Sequence, residues 1–172
     1  MKIYPCKTNA RTRYLTAGHI VVVMVLAVVM ALLYEGGYLS AWFLSFVLAL
    51  VALTVLSIPK SLAVSDTTFY IRCILDITEI PFSEIASVRA VGKRELRWTF
   101  PLFGCSGFFG YFGHFIDFKG MRHVEIYAST WGNFVEITTI YEKTYLVSCS
   151  ERDELIATLH RNKPQKDSVY EI

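Results

Sequence analysis

The sequence predicts a membrane-anchored α+β protein: a two-helix transmembrane hairpin, then an antiparallel β-barrel or sandwich of about seven strands capped by a C-terminal helix. Two long uncharged apolar runs lie near the N-terminus, with only four residues between them. Behind them, apolar residues recur in short alternating stretches separated by turn residues. The last of these stretches leads into a segment with helix start and stop signals.

Composition separates the two parts. Apolar residues make up 53% of the chain and charged residues only 19%, against about 25% charged in an ordinary soluble domain. The excess is local: between residues 17 and 60 the only acidic or basic side chains are Glu35 and Lys60. Charge is local too. Lys2, Lys7, Arg11 and Arg13 precede the first run with no acid among them, whereas from residue 59 onward thirteen basic residues face fourteen acidic ones. The net charge of +2 therefore belongs to a basic cytoplasmic arm over 1–16. The remainder lacks the basic patch that a nucleic-acid partner requires.

The first run is fifteen consecutive apolar residues over 20–34, extended backwards by residues 17–19, and the second is twenty uncharged residues over 39–58. A hydrocarbon core takes roughly 20 helical residues. Lipid cannot satisfy free backbone groups, so helices are expected over 17–34 and 39–58. Tyr14, Tyr34, Tyr38 and Trp42 lie near the run ends, as interfacial aromatics do. The connection Glu35-Gly36-Gly37-Tyr38 permits a tight reversal. Basic residues precede the first helix and follow the second, so the positive-inside rule places both termini in the cytoplasm of a multi-pass inner-membrane protein. A cleaved signal peptide is the rival. No small-x-small site precedes Glu35, however, and a second run follows at once. His19, Ser40, Ser45, Thr54 and Ser57 are read as helix-packing groups. No acid or base lies mid-run, against a transporter or proton relay.

From residue 62 the period changes to two. Phe69, Ile71 and Cys73 alternate with Tyr70 and Arg72. Ile80-Pro81-Phe82 is extended, because proline biases the residue before it away from helix. A turn at 83–85 and a strand over 87–91 follow. Alternating runs around Ile116 and Val124 flank a turn at Gly120, and 134–140 pairs with 145–149 across Glu142-Lys143. Ser150, Glu151 and Asp153 open the terminal helix; Leu155, Ile156 and Leu159 give its apolar stripe, and Pro164 stops it. Residues 163–172 are expected to be a mobile tail.

Three stretches together carry a resemblance: Ile80-Pro81-Phe82-Ser83-Glu84-Ile85, the glycine-aromatic run 104–113, and Tyr145-Leu146-Val147-Ser148 leading into Asp153-Glu154-Leu155-Ile156. Over residues 61–162 the chain resembles the bacterial PH-like (pleckstrin homology-like) domain found behind transmembrane helices in small membrane proteins. The resemblance implies a cytoplasm-facing domain associated with the membrane or with partner proteins, and supplies no catalytic residue. PH domains that hold phosphoinositides cluster basic residues in an early loop. The equivalent loop here, 65–68, has none.

Residues 98–116 form an uncharged stretch with glycines at 104, 107, 110 and 113. As a third membrane span it would strand the later strands across the bilayer from the earlier ones, and Pro101 and the glycines weaken a helix. As a phosphate-cradling loop it lacks a following helix and a lysine. It is read as a long connecting loop whose aromatics cover the barrel or dock in the lipid interface. Lys93, Arg94 and Arg97 just before it can meet anionic head groups. With Phe108, Phe109, Tyr111 and Phe112 they are the candidate membrane-surface contacts.

Nothing recommends an enzyme, and no cofactor or metal is expected. Cys6, Cys73, Cys105 and Cys149 form no paired motif, and Cys73 reads as a small buried hydrophobe. His19, His114, His123 and His160 lack ligand spacing; His114 and His123 can meet across a hairpin as an ordinary surface pair. The expected function is a membrane-anchored binding or scaffolding module. It would touch lipid through the hairpin and engage a protein partner or a second copy at the cytoplasmic face. Lipid-interface sensing, or a subunit role in a transport or signalling complex, are the alternatives.

Overall fold

The computed structural model, which describes residues 1–6, 8–32, 38–56 and 58–162, opens with a strand rather than a free arm. β1 (Lys2–Pro5) pairs antiparallel with β2 (Pro59–Val64), Lys2 opposite Val64 and Pro5 opposite Ser61. Tyr4 is the reason. Its ring is wholly buried, and its hydroxyl lies 3.1 Å from Thr158 Oγ1. The helix α1 begins at Ala10, not at 17, and runs to Leu32. The segment expected as a basic arm over 1–16 is thus a sheet strand and the first turns of a helix. Asn9 caps that helix: its Oδ1 accepts from the Thr12 N–H at 2.9 Å.

A second apolar helix, α2, covers Tyr38–Leu56, and β2 is the next element in the chain. The reversal at 35–37 and the tail at 163–172 lie outside the described residues. Among the described residues one helix, over Ala10–Met30, is long and apolar enough to cross a membrane, and only 6% of its apolar window is buried. A shorter apolar helix occupies Ala41–Ala52.

The rest is a two-sheet sandwich with a C-terminal helix. The first sheet runs β1-β2-β3-β4, with β3 at Thr68–Cys73 and β4 at Ile77–Pro81. A single 3₁₀ turn over Phe82–Glu84 carries the chain into β5 (Ile85–Val91). A second over Glu95–Trp98 leads into β6 (Thr99–Ser106), followed by β7 (Tyr111–Asp117), β8 (Arg122–Ala128), β9 (Phe134–Thr139) and β10 (Thr144–Ser148). Their order is β5-β9-β10-β8-β7-β6. The helix α3 (Arg152–Asn162) closes the chain.

Two expectations need correction. The strands number ten among the described residues, not about seven. The sheet is also not wholly antiparallel: the β9–β10 hairpin inserts β10 beside β8, and these two run parallel, Thr144 opposite Val124 and Val147 opposite Tyr127. That insertion buries the centre strands on both faces, which explains why 144–148 is buried throughout.

The core has two lobes. One packs Tyr4, Leu62, Phe69 and Ile71 of the first sheet against Val135, Ile137 and Val147, and is capped by Leu155 and Leu159 of α3. The other collects Tyr111, Phe115, Val124, Ile126, Phe134 and Leu146, with Leu96 from the turn before β6. Glu136 is buried but satisfied, since Arg89 donates to both its oxygens at 2.8 and 2.9 Å.

Candidate functional site

The stretch 98–116, read from sequence as a connecting loop, is a β-hairpin: Thr99 pairs with Asp117 and Ser106 with Tyr111. Glycine makes this pairing possible. Gly104 and Gly113 face each other at φ +148° and +110°, and a Cβ on either would lie 2.2 or 2.4 Å from the carbonyl oxygen of Phe112 or Phe103. The backbones approach so closely because neither residue has a side chain.

The tip of this hairpin docks on the first turns of α1. Phe109 sits there with φ 56°, a conformation that a bulky side chain rarely adopts. Its N–H donates to Thr16 Oγ1 at 2.8 Å, and the Thr16 hydroxyl donates to Thr12 O at 2.8 Å. Thr12 Oγ1 lies 2.9 Å from Asn9 Oδ1 and 3.2 Å from the Ser129 carbonyl. Both threonines are buried on a helix whose neighbours are exposed. The Phe108 ring lies 5.9 Å from His19. The hairpin tip is therefore fixed at the level where α1 becomes continuously apolar. Beside it is the exposed Arg13, which lines a hollow with Phe109.

The seven residues singled out from sequence do not form one patch. Tyr111 and Phe112 are 6% and 2% exposed, so they are not surface contacts. They belong to β7, which lies between β6 and β8 and is covered on both sides. Phe108 and Phe109 sit at the tip beside α1. Lys93 lines a pocket of ≈ 300 Å³ with Thr8, Asn9, Trp131 and Gly132, near the start of α1. Arg94 and Arg97 are exposed ahead of β6. The eight-residue length of β6, about 26 Å, separates Arg97 from Phe108.

What sequence reasoning missed is β6 itself. Phe100, Leu102 and Phe103 are 48%, 60% and 77% exposed on a strand that ends its sheet. Trp98 and Phe118 extend the surface, the latter edge-on to Phe100 at 5.7 Å. A cavity of ≈ 550 Å³ lies beside it, lined by Leu50 of α2, Cys73, Leu102, Phe103, His114 and Tyr127.

Reactive groups are few. Burial pushes the Cys6 and Cys73 thiols up to about 11, so neither is a nucleophile at neutral pH. Burial likewise raises Cys105 and Cys149.

The family model for the bacterial PH domain matches residues 60–163, more than half of the chain. The chain belongs to the bacterial PH domain family. No curated protein and no solved structure matches it. The PH domain is thus the sandwich from β2 to α3, and the match begins at the residue after β2 starts. β1, which completes the first sheet, comes from outside it. A PH domain points to a binding or scaffolding module.

Proposed function

We propose that the protein is a two-span inner-membrane binding module, not an enzyme, whose PH domain engages a protein partner or a second copy of itself at the cytoplasmic face. The observation that carries this is the edge strand β6. It ends the six-stranded sheet, and Phe100, Leu102 and Phe103 stand exposed along it. An apolar, unpaired sheet edge is a template for adding a strand from another chain.

The membrane reading rests on the apolar faces of both helices. Val21 and Met24 on α1, and Trp42 and Phe46 on α2, are each more than half exposed. Surface of that size and continuity needs a covering. β1 pairs with β2, which supports both helix ends lying on the same side of a bilayer. Lys2, Lys7, Arg11 and Arg13 at that end, against Glu35 at the reversal, favour the cytoplasmic side.

A second reading has its own support. Phe109, Arg13 and Ile20 line one hollow where α1 leaves the domain, an arrangement suited to the lipid head-group layer. The two readings assign different parts of the hairpin: the strand edge to protein, the tip to lipid. A photo-crosslinking side chain placed at 103 or at 109 of the full chain in native membranes separates them. Protein adducts at 103 and lipid adducts at 109 support both assignments. Lipid adducts at both positions overturn the protein-partner reading and leave an interfacial lipid module.

A further inference from the structure

His114 on β7 lies directly opposite Glu125 on β8, and His123 lies opposite Ile116, so all three polar side chains share one face of adjacent strands. The imidazole rings stack with centroids 5.0 Å apart and 23° between planes. His114 Nδ1 is 3.9 Å from Glu125 Oε1. One ligand atom from each residue lies within 4.8 Å of the other two.

We infer that His114, His123 and Glu125 form a binding site for a divalent transition-metal ion of the zinc class. The donor set is two neutral nitrogens and one carboxylate, which suits zinc and its neighbours rather than calcium or magnesium. Ligand atoms around a tetrahedral ion sit about 3.3 Å apart, given metal–ligand bonds near 2.0–2.1 Å. Closing from 4.8 Å requires only rotation of His114 and His123, both exposed side chains on a fixed sheet.

The support behind the ligands is built as metal sites require. Glu125 is mostly covered, its side chain 19% exposed. Its Oε2 accepts from the Tyr127 hydroxyl at 3.3 Å, and the Thr78 hydroxyl lies 3.5 Å from that same oxygen of Tyr127. This chain orients one carboxylate oxygen and leaves Oε1 toward the imidazoles, the outer-shell pattern that fixes a ligating carboxylate. Three protein ligands leave a coordination position for water or for a donor from another molecule. His114 pairs with Phe103, so the site lies one strand in from the exposed edge of β6.

The test is Co²⁺ titration of the full chain in detergent, without a histidine tag, followed by displacement with Zn²⁺. The expected result is one Co²⁺ per chain with visible d–d bands that Zn²⁺ abolishes. His114→Ala and His123→Ala should each abolish the bands at the same cobalt concentration. Tyr127→Phe, which keeps the ring, should weaken binding by about tenfold. All three variants should melt at the wild-type temperature in the absence of metal. The proposal is overturned if wild type shows no bands, or if they persist in the double histidine variant. It is also overturned if near-ultraviolet thiolate charge transfer shows the ion on cysteine.

Discussion

The strands β6 and β7 are drawn from the same glycine-spaced aromatic stretch, pair with each other along their length, and meet opposite environments. On β7, Tyr111, Phe112 and Phe115 are all buried. On β6, Phe100, Leu102 and Phe103 are about half exposed or more. Composition does not distinguish them; position in the sheet does. β7 has a neighbour on each side, while β6 has one. An aromatic side chain on an inner strand contributes to the fold. The same residue one strand further out is available to something else. In this family member the second sheet therefore ends in an apolar edge, pinned at its tip to α1, the helix long and apolar enough to cross a membrane.

The most severe way to break the comparison is to separate the two strands. Gly113→Val puts a branched side chain at φ +110° and within 2.4 Å of the Phe103 carbonyl. It should destabilise the chain by more than about 4 kcal/mol, in the exceptional tail for single changes, read as loss of a cooperative melting transition in detergent. Next comes Phe115→Ala, which hollows the second core lobe and should cost about 3–5 kcal/mol by the same measurement. Thr16→Val strands the Phe109 N–H at the tip and should cost about 1–3 kcal/mol. It should also raise hydrogen exchange at the tip without altering exchange in β9. The mildest change is Phe103→Ser, expected to leave stability within about 0.5 kcal/mol while removing the protein adducts expected from crosslinkers at neighbouring edge positions.

The first sheet sharpens the comparison through pH. Burial pushes the Cys6 and Cys73 thiols up to about 11, from an ordinary value near 9. In the unfolded chain they ionise earlier, so the unfolded state releases protons first as pH rises. Their contribution is whole below about pH 9 and is lost between 9 and about 11. Melting temperature in detergent should be level up to pH 9 and fall above it. Replacing both residues with alanine should lessen that fall, leaving the part that the Cys105 and Cys149 thiols, likewise raised by burial, contribute.

Much of the PH domain was readable from spacing. Alternation at 69–73 gives β3, and turn residues at Gly120 and Glu142-Lys143 give the two later hairpins. β1 was not readable, because four residues ending in proline carry no period, and only the buried Tyr4 commits them to the sheet. β6 was hidden by Pro101 and Gly104, which weaken a strand pattern locally and are tolerated here at an edge. The parallel β8–β10 pairing is a long-range arrangement that no local signal announces. Tyr111 and Phe112 were assigned to the surface because burial depends on neighbours, not on composition. One missed feature was countable. Stepping outward from the Gly120 turn pairs Asp117 with Arg122 and so His114 with Glu125.

The proposed two-span topology has both apolar helices crossing the bilayer as a hairpin planted on the PH domain through β1 and β2. It is tested most directly by two epitopes in the full chain, one between Gly36 and Gly37 and one after Ile172, probed on spheroplasts before and after permeabilisation. With that topology the first is accessible on intact spheroplasts and the second only after permeabilisation. Finding both epitopes on one side, or their positions reversed, would contradict it.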